Sequence, residues 1–203
     1  MADPVVHVID DDPSARESLE FLIDCAGFGV RTYASARDFL DALPTREPGC
    51  IVTDVRMPEM NGVELIRRLN AMNVTDPVIV ITGHADVPMA IEAMKQGVSD
   101  FIEKPFADEA ILDAIRTALA RESARDEVRR ERERIRSLID ALSQREREVL
   151  DGLYEGHANK VIAFDLGISD RTVEIYRANV MTKMGVKTLS ELVRMVTVAR
   201  LAD

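Results

Sequence analysis

Tryptophan is missing from this 203-residue chain, aromatic residues make up only 4%, and there are two cysteines and three histidines. So few aromatics argue against a single-strand nucleic-acid binder that stacks bases on rings. Cys25 and Cys50 each lie in an apolar context and show no zinc-ligand spacing, so both are expected to be buried small hydrophobes. No stretch reaches the roughly 18 apolar residues of a membrane helix, and MADPVVHVIDDD has neither the basic start nor the apolar run of a secretory leader. The expected location is therefore cytoplasmic, with no membrane partner. Hydrophobic residues reach 46% and charged residues 31%, enough for a packed core, and the length suits two domains.

Acidic residues outnumber basic ones, 36 to 26, giving a net charge of −10, but the charge is unevenly spread. Residues 1–122 hold 22 acidic and 11 basic side chains, or −11, and residues 123–203 hold 14 and 15, or +1. A nearly neutral C-terminal half with clustered Arg and Lys can bind phosphate through a local patch.

The first half alternates short Val- and Ile-rich runs with helical stretches. Strands are expected at 5–9, 30–33, 50–53, 77–82 and 100–103, each followed by a helix, at 14–26, 36–43, 62–72, 86–96 and 108–120. This pattern predicts an α/β domain, a five-stranded, doubly wound parallel sheet over residues 1–120. Ligands of such sheets lie beyond the carboxyl ends of the strands. Asp10, Asp11, Asp54, Thr82 and Lys104 all fall there. A lone Asp at a strand end serves as readily as a turn or helix-cap residue. Three consecutive Asp with Asp54 are a different matter, because two carboxylates about 4 Å apart repel by about 4 kcal/mol at an effective dielectric near 20. Asp10, Asp11 and Asp54 in one cleft call for a hard cation such as Mg2+. Asp54 is placed as a carboxylate nucleophile toward a phosphoryl group, with the Thr82 hydroxyl and the Lys104 ammonium available to its oxygens.

From 121 to 141 the chain has no Gly or Pro and dense alternating charge, which predicts a mostly solvated helical linker. Val128, Ile135 and Leu142 keep heptad spacing, but Glu131 and Leu138 share the second seam position, so a semi-rigid spacer is expected rather than a coiled coil. Residues 142–203 predict an all-α, four-helix unit. Ser143 to Glu146 forms a capping box, and Asn159, Ser169 and Thr188 or Ser190 are expected caps of the following helices. A tight turn at Leu166-Gly-Ile168 between short helices indicates a helix-turn-helix with a reading helix over 170–184. Glu174, Arg177, Ala178 and Met181 share a stripe by i, i+3, i+4 spacing, making Glu174 and Arg177 candidate base readers. Lys160, Arg171, Thr172, Asn179 and Lys183 suit phosphate oxygens.

The motifs VIDDD, TDVRMPEMNG, VITGHAD and FIEKPF stand in the order and spacing of the receiver domain of two-component response regulators, which residues 1 to about 122 resemble. The resemblance implies phosphorylation of Asp54 by a sensor histidine kinase. It implies Mg2+ on Asp10, Asp11, Asp54 and the Arg56 backbone carbonyl, a switch through Thr82 and Phe101, and a cis bond before Pro105. Arg56 and His84 occupy positions that in the family influence how long the phosphoryl group survives. The segment LSQREREVLDGLYEGHANKVIAFDLGISDRTVEIYRANVMTKMGVKTLSELVRMV resembles the LuxR-type helix-turn-helix, with Tyr176 where His is common. Together the halves resemble the NarL/FixJ family of transcriptional response regulators. That implies an activator that dimerises on phosphorylation, through 89–96 and 100–103, binds double-stranded promoter DNA and works with RNA polymerase. It is not an enzyme beyond self-phosphorylation and autodephosphorylation. Two other readings remain open: a DNA binder with a vestigial receiver, and an aspartyl-phosphate phosphotransfer enzyme.

Overall fold

The structure, a computed structural model, describes residues 4–83 and 87–201. The chain divides into two compact units, Met1–Ala124 and Arg125–Asp203.

In the first unit the strands are β1 (Val5–Ile9), β2 (Gly29–Tyr33), β3 (Gly49–Asp54), β4 (Val78–Thr82) and β5 (Asp100–Glu103). They form one parallel sheet in the order β2-β1-β3-β4-β5. The helices are α1 (Pro13–Cys25), α2 (Ala36–Ala42), α3 (Gly62–Ala71), α4 (Val87–Lys95) and the start of α5 (Asp108–Asp140). Successive residues of a strand point to opposite faces, and the core divides accordingly. Val6, Val8, Cys50, Val52, Ile79, Ile81 and Ile102 pack with Ile23 of α1 and Ile111 and Ile115 of α5. Ile9, Ile51 and Val80 pack on the other face with Phe39, Leu65, Ile66 and Leu69. All five residues of β1 and of β4 are buried, which is why these strands read as unbroken apolar runs.

Cys25 is corrected by the structure. Cys50 is buried, and its burial pushes the thiol pKa up to about 12, but Cys25 is exposed. It is the last residue of α1, whose buried positions are Leu19 and Ile23, and two residues beyond Ile23 the helix has turned roughly 200° to solvent.

The helix expected over 108–120 and the linker expected over 121–141 are one 33-residue helix, α5. Nothing in the segment breaks it, and the i,i+3 pairs Asp126–Arg129 and Glu131–Arg134 lie along its surface. Its end is not solvated as expected. Ile135 is 1% exposed and, with Leu138 and Ile139, joins the core of the second unit. The heptad spacing of Ile135 and Leu142 thus serves that unit's own core, while Val128 is exposed.

The second unit continues with α6 (Gln144–Tyr154), α7 (Asn159–Leu166), α8 (Asp170–Met184) and α9 (Leu189–Arg200). Capping boxes at Ser143/Glu146 and Thr188/Glu191 start α6 and α9, and the Ser169 hydroxyl accepts from the Thr172 N–H to start α8. Asn159 is not a cap as expected. Ala158 occupies that position without a side-chain bond, and Asn159, one residue inside α7, accepts instead from Arg177 at 3.2 Å. Gly167 ends α7 at φ +65°, a left-handed conformation that glycine adopts without a Cβ clash, and so makes the tight turn into α8. Val149, Leu150, Leu153, Ile162, Val173, Val180, Met184, Leu192 and Val196 close the core.

Candidate functional site

In register, Ile9 of β1 lies beside Thr53 of β3, so Asp10 and Asp54 leave the sheet as neighbours at its carboxyl edge. Lys104, just past β5, reaches both. Its Nζ donates to Asp54 Oδ1 at 2.8 Å and to Asp10 Oδ2 at 3.1 Å. The Lys104 N–H also donates to the Thr82 carbonyl at 2.7 Å, tying the ends of β4 and β5. The second oxygen of each carboxylate takes a backbone donor: the Asp12 N–H lies 2.9 Å from Asp10 Oδ1 and the Arg56 N–H 2.7 Å from Asp54 Oδ2. Asp12, the third of the consecutive acids, is the N-cap of α1 and accepts from Ser14.

Burial raises the Asp54 carboxyl pKa; Lys104 and the Arg56 N–H pull it down, Asp10 adds to the rise, and the net direction is upward. Burial lowers the Lys104 pKa, but Asp54 and Asp10 outweigh it and the net direction is upward. Two carboxylates against one ammonium leave the cleft a net negative charge, and every acidic donor is oxygen, which suits a hard dication. Asp11 is exposed on the loop beyond β1, and among the described residues no group of three or more His, Cys, Asp or Glu side chains is close enough to hold a metal ion. The residues brought together are Asp10, Asp54 and Lys104. Thr82 is buried at the end of β4, and Phe101, half-buried on β5, packs against the core on the α3 and α4 face. Lys104–Pro105 is cis. His84 lies outside the described residues.

α3 begins against the backbone of Asp54. A Cβ on Gly62 would stand 2.4 Å from the Asp54 carbonyl oxygen and 3.2 Å from the Val55 Cα, both backbone. Gly62→Ala is therefore expected to destabilise this unit by about 1–3 kcal/mol and to displace Asp54. Calorimetry of the full chain checks it, and an unchanged unfolding temperature would contradict this close approach.

In the second unit, Arg171, Glu174, Ile175, Ala178, Asn179, Thr182 and Lys183 are the exposed residues of α8. The stripe expected from spacing is rotated relative to them. Arg177 and Met181 are half-buried, because Val173, Val180 and Met184 make the core side of α8. Lys160 is exposed and Thr172 half-buried beside Ser169, with the two hydroxyl oxygens 2.8 Å apart. Lys183, expected on phosphate oxygens, places its ammonium 2.7 Å from Glu146 Oε2. Ile175, an apolar residue, is 57% exposed on the outer face of α8, where the spacing of polar residues alone gave no place for it. Its signal was present: at i+4 from Arg171 and three before Ala178, it lies away from the Val173–Val180 stripe.

Residues 6–116 match the response regulator receiver domain family, and residues 140–196 match the bacterial regulatory proteins of the luxR family. Over 197 residues the chain is 55% identical to the transcriptional regulatory protein FixJ of Azorhizobium caulinodans, covering 97% of this chain and 93% of that one. The chain belongs to the FixJ-like response regulators. Among solved structures, full-length FixJ from B. japonicum is 46% identical with full coverage of both chains and a TM-score of 0.64. The response regulator StyR is 41% identical, covers 97% of this chain and 99% of its own, and has a TM-score of 0.86. This FixJ-like regulator is therefore a transcription factor with a receiver domain and a LuxR-type DNA-binding domain, not a classical enzyme. Among its described residues no helix is long and apolar enough to cross a membrane.

Proposed function

We propose that this regulator takes a phosphoryl group on Asp54 from a FixL-like sensor histidine kinase, dimerises, and activates transcription of oxygen-regulated nitrogen-fixation genes from promoter DNA with RNA polymerase in the cytoplasm. The working parts are a receiver over 1–120, a helical linker over 121–141 and a DNA-binding unit over 142–203, whose core reaches back to Ile135. The observation that carries the reading is the Lys104 ammonium held by both Asp10 and Asp54 at the carboxyl edge of the sheet. In the transfer, an Asp54 carboxylate oxygen attacks phosphorus, the bond from phosphorus to the kinase's imidazole nitrogen breaks, and that nitrogen keeps the electron pair. The Lys104 ammonium, already on Asp54 Oδ1, takes an oxygen of the group attached there, and the Thr82 hydroxyl donates to another. Asp10, Asp11, Asp54 and the Arg56 carbonyl would hold Mg2+, which would neutralise charge on the phosphoryl oxygens.

Thr82 and Phe101 moving inward would reshape the surface of α4 and β5, residues 89–96 and 100–103. Ile91 and Met94 are exposed on α4 and offer that contact apolar area. A dimer presents two copies of α8 to half-sites about one helical turn, or roughly 10 bp, apart. Lys160, Arg171, Thr172 and Asn179 would hold phosphates, and Glu174 and Arg177 would accept from or donate to base edges. Intact mass after treatment with acetyl phosphate and Mg2+ tests the transfer: one added phosphoryl group supports it, and none contradicts it.

Ile175 fits an apolar contact to a thymine methyl. Ile175→Ala is expected to weaken binding to a selected duplex roughly five- to tenfold and to leave binding to a scrambled duplex unchanged, as fluorescence anisotropy would measure. Equal losses on both duplexes would remove the base contact.

A further inference from the structure

The DNA-reading helix is anchored at the end that does not read. Glu146, in the first turn of α6, has a side chain only 5% exposed, and it carries two bonds: Lys183 Nζ at 2.7 Å and the Ser143 N–H at 2.8 Å, both to Oε2. A carboxylate so covered is costly unless paired. Lys183 and the Ser143 N–H hold its pKa below the usual carboxylate range. Both charges also suit their helix ends, an acid in the first turn of α6 and a cation in the last turn of α8. The exposed reading face begins at the other end, at Arg171 and Glu174. From Lys183 back to Glu174 is about 14 Å at 1.5 Å per residue, so a small tilt at the anchor displaces the readers along the groove.

We propose that Glu146 is a positioning residue for DNA recognition, and that Lys183 serves as its partner across α6 and α8 rather than as a phosphate contact. The pair sets the angle at which α8 presents Glu174, Ile175 and Ala178. This rests on DNA reading by the luxR-family unit.

The two roles of Lys183 predict opposite results. Glu146→Gln retains an oxygen for the Ser143 N–H, since Gln also serves in a capping box, and removes only the charge facing Lys183. Lys183→Met removes the ammonium. The full-length protein, treated with acetyl phosphate and Mg2+, first selects a duplex from a randomised pool. Affinity for that duplex and for a scrambled one is then measured across a salt series. If the pair positions α8, each variant weakens binding to the selected duplex about five- to tenfold. Scrambled-duplex affinity and salt slope stay unchanged, and the double variant is no worse than either single one. If Lys183 holds a phosphate, Lys183→Met lowers the salt slope by about 0.9, while Glu146→Gln frees the lysine and binds as well as wild type or better, which overturns the proposal. Equal weakening on both duplexes with a lower unfolding midpoint overturns it in favour of fold stability, and so does no effect in either variant. A wild-type protein that selects no sequence refutes DNA reading itself, and the proposal with it.

Discussion

Asp54→Asn is expected to abolish phosphodonor-driven dimerisation and the accompanying rise in DNA affinity while leaving the fold intact. The amide matches the carboxylate in shape and keeps an oxygen for the Arg56 N–H, now 2.7 Å from Asp54 Oδ2. It cannot displace the leaving nitrogen from phosphorus, because it has no charged oxygen nucleophile. Lys104 keeps Asp10 as a partner at 3.1 Å, so no buried charge is stranded. Burial works against ionised Asp54, and removing that charge is expected to cost little stability. The switch itself is large if it behaves as a two-state element: moving a population from 1:99 to 99:1 takes about 5.5 kcal/mol. Sedimentation velocity and anisotropy, with Mg2+ and with or without acetyl phosphate, read both consequences. If the Asn variant still dimerises and binds DNA in response to acetyl phosphate, Asp54 is not the acceptor. If neither protein responds, the receiver does not control the reader, and the vestigial-receiver reading moves ahead.

The sheet and its polar carboxyl edge were legible because both depend on local pattern. Val- and Ile-rich runs buried on two faces announce parallel strands, and polar residues placed just past them must meet at one edge. The division of labour among the three consecutive acids was not legible. Asp10 is fixed by Lys104 and the Asp12 N–H, Asp11 stays exposed, and Asp12 caps α1, differences set by where β1 stops and α1 starts to within one residue. On α8, spacing defined the helix but not its rotation, which depends on Val173, Val180 and Met184 meeting a core that partly comes from Ile135 of α5. The partner of Lys183 lies 37 residues away in sequence, on another helix, and no periodicity points to it. The same holds for a buried ion pair in the receiver, between Arg46 and Asp76, which stand in two loops at the opposite edge of the sheet from Asp54.

That pair carries the largest expected effect on stability. Arg46 donates to Asp76 through two nitrogens, at 2.8 and 2.5 Å, and the side chains are only 7% and 11% exposed. Asp76 Oδ1 also accepts from the Gly49 N–H at 2.6 Å, where β3 begins. Arg46 donates to the Glu47 carbonyl at 3.0 Å and lies 5.6 Å from the Phe39 ring centroid. The same carbonyl lies 2.9 Å from Nε2 of buried His7. Asp76→Ala leaves a covered guanidinium without its counter-charge and the Gly49 N–H without its acceptor, at an expected cost of about 3–5 kcal/mol. For a receiver of this size that lowers the unfolding temperature by on the order of 10–20 °C. The pH dependence has a definite sign. Burial raises the Asp76 pKa, but Arg46 and the Gly49 N–H outweigh it and hold it below the unfolded value. Its contribution is therefore present above the unfolded carboxylate pKa, about 3.9, and is lost as pH falls through the lower folded value. His7, whose pKa burial lowers, adds acid lability that starts at a higher pH, because the unfolded chain takes up that proton from about pH 6.5 downward. Calorimetry of the full chain from pH 7 to pH 3 should show the wild-type and Asp76→Ala receiver transitions well separated near neutrality and converging below about pH 4. Both should keep the His7 branch. A separation under about 1 kcal/mol at pH 7, the scale of an exposed pair, would mean that water reaches Arg46 in solution and that the loops before β3 and β4 are held by their backbone bonds alone.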